Sequence, residues 1–98
     1  MPFGRRRGCM EKSVVARDYR VLLEHLRETR RSLDVTQVDL AARLQESQSF
    51  VSKCERGERR LDVMELRQWC LALGMPVTAF LEGLEARLKA PGKARRKP

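Results

Sequence analysis

The side chains best suited to act as acids, bases, nucleophiles or metal ligands are few in this sequence of 98 residues, and they are not grouped. The one histidine, His25, has no cysteine at metal-binding spacing, and the three cysteines form no CxxC pair. Cys54 and Cys70 fall at core positions of predicted helices, where a thiol acts as a small hydrophobic group in a reducing cytosol. No paired carboxylates and no glycine-rich phosphate loop are visible. The sequence therefore predicts no enzyme, no metal and no cofactor.

Two short helices are predicted between Thr36 and Gly57. Thr36 and Ser47 are suitable N-caps because their hydroxyls can accept from the free backbone N–H groups that open a helix. Gly57 ends the second helix, since glycine easily takes the left-handed conformation. The apolar residues expected to face inward are Leu40, Ala41, Leu44, Val51 and Cys54. Two short helices joined by about three residues are typical of a DNA-binding helix-turn-helix.

The formal net charge is +8, and the basic residues concentrate at the two ends while the centre is nearly neutral. This distribution favours a polyanionic partner, although basic ends alone are not a specific signal. No apolar run approaches the roughly 20 residues of a membrane span, and the first ten residues lack the apolar stretch of a signal peptide. We therefore expect a cytoplasmic protein, whose translation starts at either Met1 or Met10.

An all-α fold of five helices with no strand is predicted. We expect a disordered basic tail at residues 1–15, a helical domain at 16–88 and a second disordered basic tail at 89–98. The first helix should run from Ala16 to Leu33. Its apolar face is expected to carry Tyr19, Leu22, Leu23, Leu26 and Leu33.

Helix signals after Gly57 predict the last two helices. Asp62 is the expected N-cap of the fourth helix, and Gly74 ends it. The fifth helix begins at residues 76–78, with Thr78 as its cap. The residues expected to face inward are Leu66, Trp69, Cys70, Leu73, Val77, Phe80, Leu81 and Leu84.

From Leu26 to Leu84 the sequence resembles the lambda-repressor/Cro-type (XRE) helix-turn-helix family. The resemblance is carried by Thr36, Gln37, Leu40, Ala41, Leu44, Val51, Ser52, Glu55, Gly57 and the Ala72-Leu73-Gly74 ending of the fourth helix. It implies a five-helix domain, usually dimeric, that binds operator DNA with its third helix in the major groove. One departure is Gln45, which stands at the turn position where the family usually has glycine.

Residues of the third helix match the positions that read bases in the family. These are Gln48, Ser49 and Lys53, and the chemistry agrees, since Gln can bind adenine N6 and N7 while Lys reaches guanine O6 and N7. Phe50 has two interpretations. It either touches a thymine methyl group as a further base contact or folds back onto the first helix or the loop.

The resemblance also implies contacts to the DNA backbone. The expected phosphate ligands are Thr36, Gln37, Arg43, Ser52, Arg56, Arg59 and Arg60. For Gln37 the physics agrees, because a helix N-terminus offers free N–H groups and a positive dipole end. Arg30 and Glu55 match a structural ion pair that joins the first helix to the end of the third.

The combined expectation is a transcriptional regulator, most simply a repressor, that binds a palindromic duplex site as a homodimer and is associated with the nucleoid. Two alternatives stay open: the antitoxin of a toxin–antitoxin pair, and an adaptor that binds proteins or RNA. The fifth helix is the natural candidate for the dimer surface. The operator sequence and any controlling ligand or protein partner are not readable from the residues.

Overall fold

Five α-helices form the domain in the computed structural model, which describes the backbone of residues 8–89 and the side chains of residues 14–89. They are α1 (Gly8–Ser32), α2 (Gln37–Leu44), α3 (Gln48–Glu55), α4 (Val63–Leu73) and α5 (Val77–Lys89). Within residues 8–89 there is no strand, so the predicted all-α five-helix class is confirmed.

The first helix is longer than its apolar pattern predicts. It begins at Gly8 rather than Ala16, so the predicted boundary at residues 15 and 16 falls inside α1. Val14 and Val15 are exposed. This part of the helix is therefore stabilised by its backbone hydrogen bonds, one for each added residue, and not by packing against the core. The rest of the predicted tails, residues 1–7 and 90–98, lies outside the described part of the chain.

The helices α1 to α4 each end within two residues of a residue with a left-handed backbone conformation, which has a positive φ. Asp34 and Gln45 have φ of 60°, and Gly57 and Gly74 have φ of 83° and 86°. At Gln45 the following N–H, from Glu46, donates to the carbonyl of Ala41 at 2.9 Å, which satisfies a free end of α2. Gln45 therefore takes the left-handed conformation at the turn position where the family usually has glycine.

Gln45→Gly should raise the free energy of unfolding by roughly 0.5–1 kcal/mol, because glycine takes φ of 60° without a clash of its β-carbon. Urea unfolding followed by circular dichroism measures the change. Ala42→Gly is the matched control: Ala42 lies inside the same helix, where glycine costs about 1 kcal/mol. Equal destabilisation by both substitutions would contradict strain at Gln45.

Side-chain caps begin three of the helices as predicted. Thr36 accepts from the Asp39 N–H, and the Asp39 carboxylate accepts from the Thr36 N–H, which lowers the pKa of Asp39. Ser47 caps α3, and Asp62 caps α4. The predicted cap at Thr78 is wrong. The N–H groups of residues 79 and 80 donate instead to the carbonyl of residue 76, so α5 begins one residue before Thr78.

The core is continuous across all five helices. Its fully buried side chains include Leu26, Leu40, Val51, Trp69, Phe80 and the thiols Cys54 and Cys70. Burial raises the pKa of both thiols, that of Cys70 to about 11, which fits the prediction that they act as hydrophobic groups. Two predicted core residues are exposed instead, because Leu33 lies past the end of α1 and Leu81 lies on the outer face of α5.

A close seam joins α1 to α5 around His25. The His25 ring lies 4.4 Å from the Phe80 ring, and its Nε2 is 3.0 Å from the Phe80 carbonyl oxygen. A β-carbon on Gly83 would lie 2.9 Å from the His25 ring, so only glycine leaves room for it. Burial lowers the pKa of His25, and an ion pair between Arg87 and Glu28 also joins α5 to α1.

Candidate nucleic-acid interface

One face of α3 is built into the core and the other faces solvent. Val51 and Cys54 are fully buried, while the predicted base-contacting residues Gln48, Ser49 and Lys53 are all exposed. The sharp turn at Gln45 sets the direction in which α3 leaves α2. Because α3 is anchored on its inner side, its polar side chains project into solvent from a helix whose position is fixed.

A buried ion pair ties the end of α3 to α1. The Arg30 guanidinium donates to both carboxylate oxygens of Glu55, at 2.7 and 2.9 Å, and also to the Val35 carbonyl at 3.0 Å. The side chains of the pair are 8% and 2% exposed. The pairing expected of Arg30 and Glu55 is thus present, and its two-pronged geometry leaves no freedom for α3 to rotate over α1.

The ion pair continues outward through two glutamines. Gln37, the first residue of α2, donates from Nε2 to Glu55 at 2.9 Å, and Gln48 donates from Nε2 to the Gln37 amide oxygen at 2.7 Å. One N–H of each amide and the Gln48 oxygen remain unused by these bonds. The Gln48 amide is therefore oriented by Gln37 and still offers a donor and an acceptor, the two groups that an adenine edge requires.

Phe50 lies against the domain. Its ring is 6.4 Å from the Trp69 ring, and the guanidinium of Arg59 is 4.9 Å from its centroid on one face. The side chain is partly buried at the edge of the core. Of the two interpretations of Phe50, this position favours folding back.

The loop after α3 carries three arginines in different settings. Arg56 contacts the Ser52 hydroxyl and pairs with Glu58, and this exposed pairing lowers the pKa of Glu58. Arg59 pairs through two bonds with Glu65. Arg60 lies over the Tyr19 ring of α1 at 4.2 Å. Arg56 and Arg59 thus each donate to a carboxylate through two bonds, Arg56 within the loop and Arg59 to α4.

The remaining predicted phosphate ligands lie on α2. The Thr36 hydroxyl caps that helix beside Gln37, at the end that points its free N–H groups outward. Arg43, near the other end, donates to the Ala72 carbonyl at 2.9 Å and so lies against α4. The structure brings Thr36, Gln37, Ser52 and Arg56 to the rim of the α3 surface, and it sets Arg43 apart from them.

Sequence reasoning missed the contact between Gln37 and Gln48. The two side chains are eleven residues apart and meet only because α2 and α3 cross at the turn. It also missed the Tyr19 hydroxyl, which accepts from the Leu61 N–H at 3.3 Å and seats the loop on α1. Tyr19 was predicted only as an apolar residue of the first helix.

Neither a metal-binding cluster nor a membrane helix accompanies this surface. Among residues 14–89, no three His, Cys, Asp or Glu side chains are grouped as metal ligands. None of the helices in the described part of the chain is long and apolar enough to cross a membrane. What the surface offers is hydrogen-bonding amides, hydroxyls and guanidinium groups on a rigid helix.

A helix-turn-helix with an anchored reading helix defines the class of DNA-binding regulators. The family model described as "Helix-turn-helix" matches residues 26–80. A solved structure described as "XRE-family like protein from Pseudomonas syringae pv. tomato str. DC3000" is 45% identical, over 79% of this chain and 94% of that one, with a TM-score of 0.74. No curated protein matches the chain. The chain belongs to the XRE-type helix-turn-helix family, as the sequence predicts.

Proposed function

We propose that the protein is a transcriptional repressor that reads a palindromic duplex site through α3. The observation that carries this proposal is the chain of hydrogen bonds from the Arg30–Glu55 pair through Gln37 to Gln48. Such a chain fixes a reading side chain before DNA arrives, so little conformational entropy is lost on binding. Ser49 and Lys53 flank Gln48 on the exposed face and complete the set of base contacts.

Backbone contacts supply the affinity and the register in this proposal. The N-terminus of α2, with Thr36 and Gln37, binds one phosphate group, and Ser52 and Arg56 bind others past the end of α3. Arg60 adds a guanidinium in the same loop. Arg43 and Arg59 are the weaker candidates, since their guanidinium groups already bond to α4.

A homodimer follows from a palindromic site, because each copy reads one half-site. On α5, Phe80 is fully buried and cannot meet a second copy, whereas Leu81 is 40% exposed. The outer face of α5 around Leu81 is the surface we propose for the dimer. A regulator of this kind acts on the nucleoid in the cytoplasm.

Selection of binders from a random duplex pool tests the function. We expect a palindromic consensus whose half-sites lie about one helical turn apart, roughly 34–36 Å. Each selected position should lose affinity when its base pair is changed, by about 1–3 kcal/mol. Binding without any consensus would contradict the proposed reading role and would favour the adaptor alternative.

A further inference from the structure

The loop that follows α3 rests on the middle of α1. The Cδ1 atom of Leu23 is 2.9 Å from the point where a β-carbon on Gly57 would lie, so the Leu23 side chain packs closely against the Gly57 backbone. Further along, the Leu61 N–H donates to the Tyr19 hydroxyl, and the Arg60 guanidinium covers the Tyr19 ring. The surface formed by α3 and its loop is therefore continuous with α1.

Helix geometry places two more arginines beside this contact. Arg20 is three residues before Leu23 and Arg27 is four residues after it, which are the positions that share a helix face. Arg20 is exposed and Arg27 is partly buried, as expected when an arginine stem lies along a surface and its head reaches water. Among the described side chains, neither guanidinium has a carboxylate within ion-pair distance.

The opposite flank of α1 is occupied differently. His25 is five residues after Arg20 and two before Arg27, which places it on that side, where it meets the Phe80 carbonyl of α5. Arg20 and Arg27 therefore lie on the side of α1 that faces the loop. With Arg56 and Arg60 they form the surface that we name the α1–loop arginine surface.

Two carboxylates belong to the same region. Glu58 is held by Arg56, and each of that pair is about half exposed, so a phosphate oxygen can replace the Glu58 carboxylate. Glu24 is exposed, four residues after Arg20 and three before Arg27, and it lowers the positive potential there. Glu28 also interacts with Arg27, but it is paired with Arg87 of α5. Four arginines against Glu24 and Glu58 leave a net positive surface that extends away from the reading helix.

We infer that Arg20 and Arg27 bind phosphates of the duplex outside the stretch that α3 reads. The inference rests on the proposed function for the orientation of the DNA. Arginine presents a planar fork that matches two phosphate oxygens, and its charge needs no protonation step at neutral pH. The site on DNA is longer than the helix-turn-helix alone would cover, because α1 carries the phosphate contacts beyond Arg60.

The test is the salt dependence of binding by the double variant Arg20→Gln/Arg27→Gln, measured by fluorescence anisotropy on a long duplex. Each phosphate contact contributes about 0.9 to the slope of log K against log salt, so the slope should become less steep by roughly 1.8. The ratio of the wild-type affinity to the variant affinity should therefore fall about twelvefold between 50 and 200 mM salt.

A control variant separates these contacts from a general charge effect. Arg67→Gln removes one charge from an exposed position of α4, so its slope is compared with half of the change in the double variant. Arg67 is two residues after Glu65, which places it on another side of α4. The control should keep the wild-type slope. A change in the control slope as large as half of the change in the double variant would overturn the inference.

Two further measurements keep the test independent of folding and of the proposed function. Glu24→Gln should raise affinity severalfold, which a misfolded protein cannot do, and unchanged or lower affinity would count against the surface. The titrations are repeated on a duplex of arbitrary sequence, because phosphate contacts do not depend on sequence. A lower slope there, without any consensus from selection, would support the arginine surface while refuting sequence reading.

Discussion

Glu55→Ala will lower the free energy of unfolding by about 3–5 kcal/mol, one of the largest effects expected of a single substitution in this domain. Arg30 would stay buried, at 6% exposure, with a charge that only the Val35 carbonyl still contacts. Domains of this size are stable by about 5–15 kcal/mol, so the expected loss is a large fraction of the total stability. Urea unfolding monitored by the fluorescence of Trp69, the one tryptophan, measures the loss.

A double variant, Arg30→Met/Glu55→Leu, is the control for this prediction. It removes both charges and keeps much of the apolar volume, so no unpaired charge remains in the core. We expect it to be more stable than Glu55→Ala. If the double variant lost as much stability as the sum of the two single ones, the cost would come from packing and not from the stranded charge.

Gln48→Ala will weaken binding to the selected duplex by about 1–3 kcal/mol, a factor of roughly 5 to 150. The same change should leave binding to an arbitrary duplex nearly unaffected, since the amide contacts a base and not a phosphate. Anisotropy titrations on both duplexes give the two affinities. Selection repeated with the variant should show a relaxed preference at one position of each half-site.

Gln68→Ala is the matched control for Gln48→Ala, because Gln68 is an exposed glutamine on α4. It should change neither affinity. Gln37→Ala provides a second comparison: it frees the Gln48 amide, so part of the Gln48 effect should appear although Gln48 itself is intact. An unchanged affinity for Gln48→Ala on the selected duplex would remove Gln48 from the set of base contacts.

Local chemistry explains which parts of the fold could be predicted. The caps at Thr36, Ser47 and Asp62 depend on residues three positions away, and periodicity alone identified α2 to α4. Leu33 was misplaced because its spacing continues the apolar stripe of α1 although the helix ends at Ser32. The start of α1 was missed because its first turns are not amphipathic against any core.

The candidate site was predictable only in part. The pairing of Arg30 with Glu55 came from the family resemblance, and no rule of spacing joins residues 25 positions apart. The bond between Gln37 and Gln48, like the seat of the loop on Tyr19, depends on how helices cross in space. Tertiary contacts of this kind need the assembled domain, because several arrangements of five short helices would satisfy the same local signals.

The fit of Gly83 against His25 has a consequence for how relatives of this protein can diverge. With a β-carbon at position 83 only 2.9 Å from the imidazole, the two positions cannot change independently. A relative that carries alanine or a larger residue at 83 needs a smaller side chain at 25, and one that keeps histidine at 25 keeps glycine at 83. Substitutions at positions 25 and 83 should therefore occur as correlated pairs. Each such pair would preserve the angle at which α1 packs on α5.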